Sequence, residues 1–170
     1  METAERMTVG IVAERHRIDH PWPAERWTVV TALAGEPEVA PWTVLAEGEG
    51  WTRYYVDSAE VSLFRSEAEN YKHNLDSHEP ALYVILRRSP EPPGVALLAV
   101  TVDPGEIDTH SDSGDDLIEA LPLPPTVAAW MQAFVERHYV PRPFHKRRRD
   151  RADPEALATH RPSQRDTHHD

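Results

Sequence analysis

Residues Pro41–Arg65, PWTVLAEGEGWTRYYVDSAEVSLFR, decide the fold class. Short apolar runs rich in Trp, Tyr and Val are broken at Glu47-Gly48-Glu49-Gly50 and again at Asp57-Ser58. Aromatic and β-branched side chains suit a pleated, half-buried surface, whereas Gly, Asp and Ser clusters suit turns. The stretch therefore predicts a β-meander, with strands near Trp42–Ala46, Trp51–Val56 and Glu60–Arg65. Trp42 and Trp51 flank its first turn. No catalytic signature lies within it.

Upstream, Met7–Ile18 alternates as a strand does, with Val9, Ile11 and Ala13 on one face. Gly10 marks a bulge or a close backbone approach. Pro21 and Pro23 hold the residues before them extended, so Asp19–Pro23 predicts a rigid loop presenting Trp22. Arg26–Leu33 is a second strand, ended by Gly35. Downstream, Ser66–Tyr71 carries a capping-box pattern for one helical turn, with Ser66 as N-cap and Glu69 at the third helical position. His73–Pro80 reads as a polar connection. Ala81–Arg88 is apolar at both parities, as a central strand is, and Val95–Val102 is its hairpin partner across Pro90–Gly94. Asp103-Pro104-Gly105-Glu106 starts a short helix running to about Asp112. Leu117-Ile118 is a brief strand. In Thr126–Tyr139, residues Val127, Trp130, Met131, Phe134, Val135 and His138 form one apolar stripe of a helix, which Pro141 and Pro143 stop. The sum is α+β, mostly β: an antiparallel sheet or partly open barrel of about six to seven strands, with one C-terminal amphipathic helix packed on it.

The chain of 170 residues has no cysteine, which excludes disulfides, cysteine-based metal sites and a thiol nucleophile. That fits a reducing cytoplasm. Neither a signal peptide nor an apolar run of membrane-spanning length is visible. Charge is unevenly spread: residues 1–140 hold 24 acidic and 10 basic side chains, whereas residues 141–151 hold 6 basic and 1 acidic. The expected division is a globular domain over residues 1–145 and a basic collar with a disordered tail over residues 146–170. An acidic body repels nucleic acid over most of its surface.

Within Asp103–Glu119, taking Asp108 as the first position of a calcium loop puts His110, Asp112, Asp116 and Glu119 at ligand spacings. However, Ser113 stands where that loop needs glycine, so the ordinary reading is a solvated acidic surface. The ten histidines show no metal-ligand spacing. No phosphate-binding loop or nucleophile elbow occurs. No cofactor or metal is therefore expected, and no catalytic residue is assigned. For Trp22, Trp27, Trp42 and Trp51 burial is the ordinary fate; Trp22, between prolines, is the candidate for an exposed interface anchor. The collar Lys146, Arg147, Arg148, Arg149 and Arg151 is either a solubilising tail or a dock for an acidic protein surface, a phosphate-bearing ligand or nucleic acid, the last opposed by the acidic body.

Four segments together resemble a bacterial family of uncharacterised domains whose genes accompany molybdenum-dependent formate dehydrogenase and its assembly chaperones. They are VGIVAERHRIDHPW (Val9–Trp22), PWTVLAEGEGWTRYY (Pro41–Tyr55), LYVILRR (Leu82–Arg88) and FVERHYVPRPFHKRRRDRADP (Phe134–Pro154). The resemblance implies a non-catalytic accessory protein for assembly, maturation or cofactor loading of such an oxidoreductase. Its partner would be the oxidoreductase or its chaperone, contacted through Trp22 and the collar. The alternative is a molybdenum-cofactor maturation enzyme handling a nucleotide or pterin. Some members are labelled molybdopterin–guanine dinucleotide biosynthesis protein A. The guanylyltransferases of that name open on a Gly-rich loop with a Lys, and the nearest stretch here, Ala32-Leu33-Ala34-Gly35, has one glycine and no Lys.

Overall fold

The computed structural model describes residues 4–19, 23–35, 37–111, 114 and 116–141. Among the described residues, seven strands form two antiparallel sheets. The larger sheet has the order β2-β1-β4-β3, with β1 Ala4–Asp19, β2 Pro23–Ala34, β3 Thr43–Gly48 and β4 Trp51–Phe64. The smaller has the order β6-β5-β7, with β5 Ala81–Arg88, β6 Val95–Thr101 and β7 Asp116–Pro122. Neither sheet closes, so the molecule is mostly β without being a barrel. The α-helices among the described residues are α1 Ala68–Asp76, α2 Ile107–Ser111 and α3 Pro125–His138.

The core fills the space where β4 meets β6, β2 meets β7 and the helices cover the sheets. From β1 come Val9, Ile11 and Ala13; from β4, Val56, Val61 and Leu63; from β5, Leu82, Val84 and Leu86. As expected, β5 is central, and Ile85 on its opposite parity is buried too. The stripe on α3 buries Val127, Met131, Phe134 and Val135. Each such side chain contributes about 1.5–3 kcal/mol by leaving water. Phe134 meets Tyr71 of α1 edge-to-face at 5.9 Å, which joins the two helices. Trp130 Nε1 donates to Glu5 Oε1 at 3.1 Å, tying α3 to the first strand.

Three local expectations need correction. Asp57-Ser58 is not a turn: β4 runs unbroken from Trp51 to Phe64, paired with the long β1 along its whole length. The register shifts opposite Ile11/Val12, leaving Val56 as an extra residue. A β-bulge thus absorbs the break, and β1 supplies partners on both sides of it. Ser66 is not at the N-cap position of α1: it lies inside a 3-10 turn, Arg65–Glu67, and Glu67 stands at the N-cap without a side-chain cap bond. Finally, α1 continues through His73 to Asp76, because Asn74 is buried and bonded on its inner side. The Asp103 start is as expected, with its carboxylate accepting from Gly105 N at 2.8 Å.

Met1–Tyr139 forms one compact unit. The expected domain boundary near residue 145, the collar and the tail lie outside the described residues.

Candidate anion-binding site

On β1 the parity that buries Val9, Ile11 and Ala13 continues to Arg15 and Arg17. The apolar face of the larger sheet therefore becomes cationic at its far end. Register places Arg15 opposite Trp27 of β2 and Thr52 of β4, and Arg17 opposite Glu25 of β2. Directly opposed residues share a face, so Arg15, Arg17, Glu25 and Thr52 form one group. They line a pocket of about 250 Å³ together with Gly48, Gly50 and Trp51. Two of its lining residues are joined where Arg17 N–H donates to the Gly50 carbonyl at 2.8 Å. Gly50, at φ 80°, allows the β3–β4 turn to close there.

Behind the pocket sits an aromatic cluster. Trp27 lies 5.7 Å from Trp42 and 5.7 Å from Tyr54, and Trp42 lies 5.5 Å from Tyr54. Trp27 is buried and Trp42 half-buried, as ordinary core packing requires. Trp42 holds φ at 66°, a conformation costly for a bulky residue, and its ring contacts offset that cost.

The arginines are loosely held. The Arg15 guanidinium stands 5.5 Å over the Tyr54 ring, and its Nε is 3.9 Å from Glu25 Oε1, beyond hydrogen-bond range. Among the described residues the Arg17 side chain has no hydrogen bond or ion pair. Contrast the opposite face. There Arg53 Nε donates to Glu14 Oε2 at 2.7 Å, and His16 Nε2 is 3.0 Å from Glu14 Oε1. That hydrogen bond from Arg53 holds the Glu14 carboxyl below its usual range, against the opposing effect of burial. Trp51, opposite His16 on this second face, also lines the pocket, which therefore lies at the end of the sheet rather than on one face alone; its indole lies against Gly48.

The remaining candidates fare differently. Trp22, Lys146, Arg147, Arg148, Arg149 and Arg151 lie outside the described residues. In the tested calcium stretch, Asp108 and His110 sit on α2, whereas Asp116 and Glu119 sit on β7. The Asp116 carboxylate accepts from Arg87 Nε at 2.8 Å and approaches His110 Nδ1 at 3.1 Å, and the Arg87 bond holds its pKa low. Among the described residues no cluster of three or more His, Cys, Asp or Glu side chains is arranged to hold a metal ion. A second pocket of about 450 Å³ is acidic, lined by Glu67, Asp103 and Glu106, but Asp103 is already bonded to Asn70 and Gly105. Tyr71 beneath it is pushed up to about 12, chiefly by burial. Sequence reasoning missed Arg15 and Arg17. The available signal was two cations continuing the parity of a buried apolar run.

Among the described residues no helix is long and apolar enough to cross a membrane. A family model described as "Protein of unknown function (DUF3305)" matches residues 8–148. No curated protein and no solved structure matches the chain.

Proposed function

The chain belongs to the DUF3305 family, and from that footing we propose that it is a non-catalytic accessory protein that binds an anionic group on a client. The client is a molybdenum-dependent oxidoreductase such as formate dehydrogenase, or its assembly chaperone, and the service is assembly, maturation or cofactor loading. The observation that supports binding is the pocket itself: it is lined by two arginines, of which Arg15 has one weak carboxylate neighbour, and both stand on paired strands rather than on a loop. Strand pairing fixes the backbone of both arginines, which lowers part of the entropy cost of recognition. Guanidinium forks suit carboxylate and phosphate alike. The oxidoreductase comes from the resemblance of the four quoted segments. In this reading Trp22 and the collar are further partner contacts, as the resemblance implies.

The test is complementation. A host lacking the chain is supplied with wild type, with Arg15→Glu/Arg17→Glu, or with Arg147→Glu/Arg148→Glu/Arg149→Glu, and formate dehydrogenase activity is measured. The proposal expects both variants to restore less activity than wild type. Full activity from the pocket variant contradicts the pocket's role, and full activity from the collar variant contradicts the collar's.

A further inference from the structure

We propose that the Arg15–Arg17 pocket recognises a phosphomonoester dianion, and that Glu25 is its built-in competitor. The proposal rests on reading that pocket as a binding site, and names its ligand. Two arginines line one space, and Thr52, a hydroxyl residue, lines it beside them. Guanidinium groups favour oxyanions that accept two parallel hydrogen bonds, and two of them match a dianion in charge. Glu25 supplies one negative charge but holds it badly: its side chain is 51% exposed and 3.9 Å from Arg15 Nε. An incoming phosphate displaces that contact without breaking a hydrogen bond. Gly94 of the β5–β6 turn lies near the Glu25 carboxylate, where a Cβ would stand 4.0 Å from Glu25 Oε2.

Size and field restrict the ligand further. The pocket of about 250 Å³ exceeds a bare ion, since a water molecule takes about 30 Å³. It therefore has room for an esterified group. The chain carries a formal charge of −11, which disfavours long polyanions such as nucleic acid. A small ligand meets only the local cations.

The experiment is calorimetric titration of the purified full chain with glycerol 3-phosphate, inorganic phosphate and acetate at matched ionic strength. The expected result is saturable binding of the phosphates and much weaker binding of acetate. Tighter binding of the ester identifies an esterified ligand; equal binding identifies free phosphate. Loss of one charge-assisted contact in Arg17→Ala should weaken binding at least about tenfold. Arg15→Lys, which keeps the charge and loses the fork, should weaken it less. Glu25→Gln should tighten it. Circular dichroism confirms that each variant is folded. Absence of saturation by wild type, equal affinity for acetate, undiminished affinity in Arg17→Ala, or weaker binding in Glu25→Gln overturns the proposal. Because only the purified chain is used, a negative result leaves the oxidoreductase link standing, and a failed client interaction leaves this site standing.

Discussion

Gly10 sits in mid-strand against the ring of Tyr55: a Cβ there would lie 2.9 Å from Tyr55 Cε2 and 3.0 Å from Pro37 Cδ. Tyr55 is 3% exposed and has little room to yield. Gly10→Ala should therefore destabilise the protein by about 1–3 kcal/mol through overpacking, measured by urea denaturation; an unchanged midpoint would refute the close approach. That approach was legible in the sequence, because a lone glycine in a strand pattern means a bulge or a near neighbour. Glu14 gives a second prediction. Its pKa is lowered in the fold by Arg53, so it binds protons less readily folded than unfolded. The stability it contributes is present above the unfolded carboxyl range, near about 4.3, and is lost as pH falls through the lower folded value. Arg53→Ala should cost up to about 1 kcal/mol at neutral pH. It should cost less well below that range, where Glu14 is protonated in both states and only the Arg53 contact over the Trp51 ring, 5.5 Å from its centroid, is lost. Equal losses at both pH values would contradict the linkage.

Among elements, α1 is pinned by one side chain. Asn74, 3% exposed, donates to the carbonyls of Ala81 and Val102 at 2.8 Å each and accepts from Ala81 N at 2.9 Å. It thereby joins α1 to the start of β5 and the end of β6. Asn74→Ala strands buried backbone groups and should cost about 2–4 kcal/mol; a loss under half a kcal/mol in the same assay would show that water replaces the amide. The polarity of Asn74 is why this stretch reads as a connection in the sequence. By contrast, β5 and α3 were legible because one buries both parities and the other keeps a single stripe. The continuity of β4 was not. Thr52, Tyr54 and Val56 have even numbers, whereas Ala59, Val61 and Leu63 have odd ones. The extra residue at Val56 moves the inward parity from one set to the other. A period-two reading must break at such a bulge, and Asp57-Ser58 then looks like a turn. The cationic end of β1 escaped for a related reason. Parity marked Arg15 and Arg17 as inward, but only the register shows Thr52 and Glu25 beside them.

For the whole molecule, the sheets and helices share one core, so its centre should control a single unfolding transition. Phe134→Ala removes a side chain 1% exposed between α3 and α1. The expected cost is about 3–5 kcal/mol, with coincident loss of tryptophan fluorescence and far-ultraviolet dichroism; separated transitions would contradict a shared core. Function belongs to this scale as well, because the pocket lies where the core face of the larger sheet runs out. The proposed role requires that pocket to engage a client. The decisive measurement is affinity capture of the full chain, tagged at its N-terminus, from its host grown on formate, with Arg15→Ala/Arg17→Ala alongside. Co-purification of a molybdenum oxidoreductase or its chaperone, reduced several-fold by the double substitution, is the predicted result. Recovery of neither, or equal recovery with both forms, would contradict it.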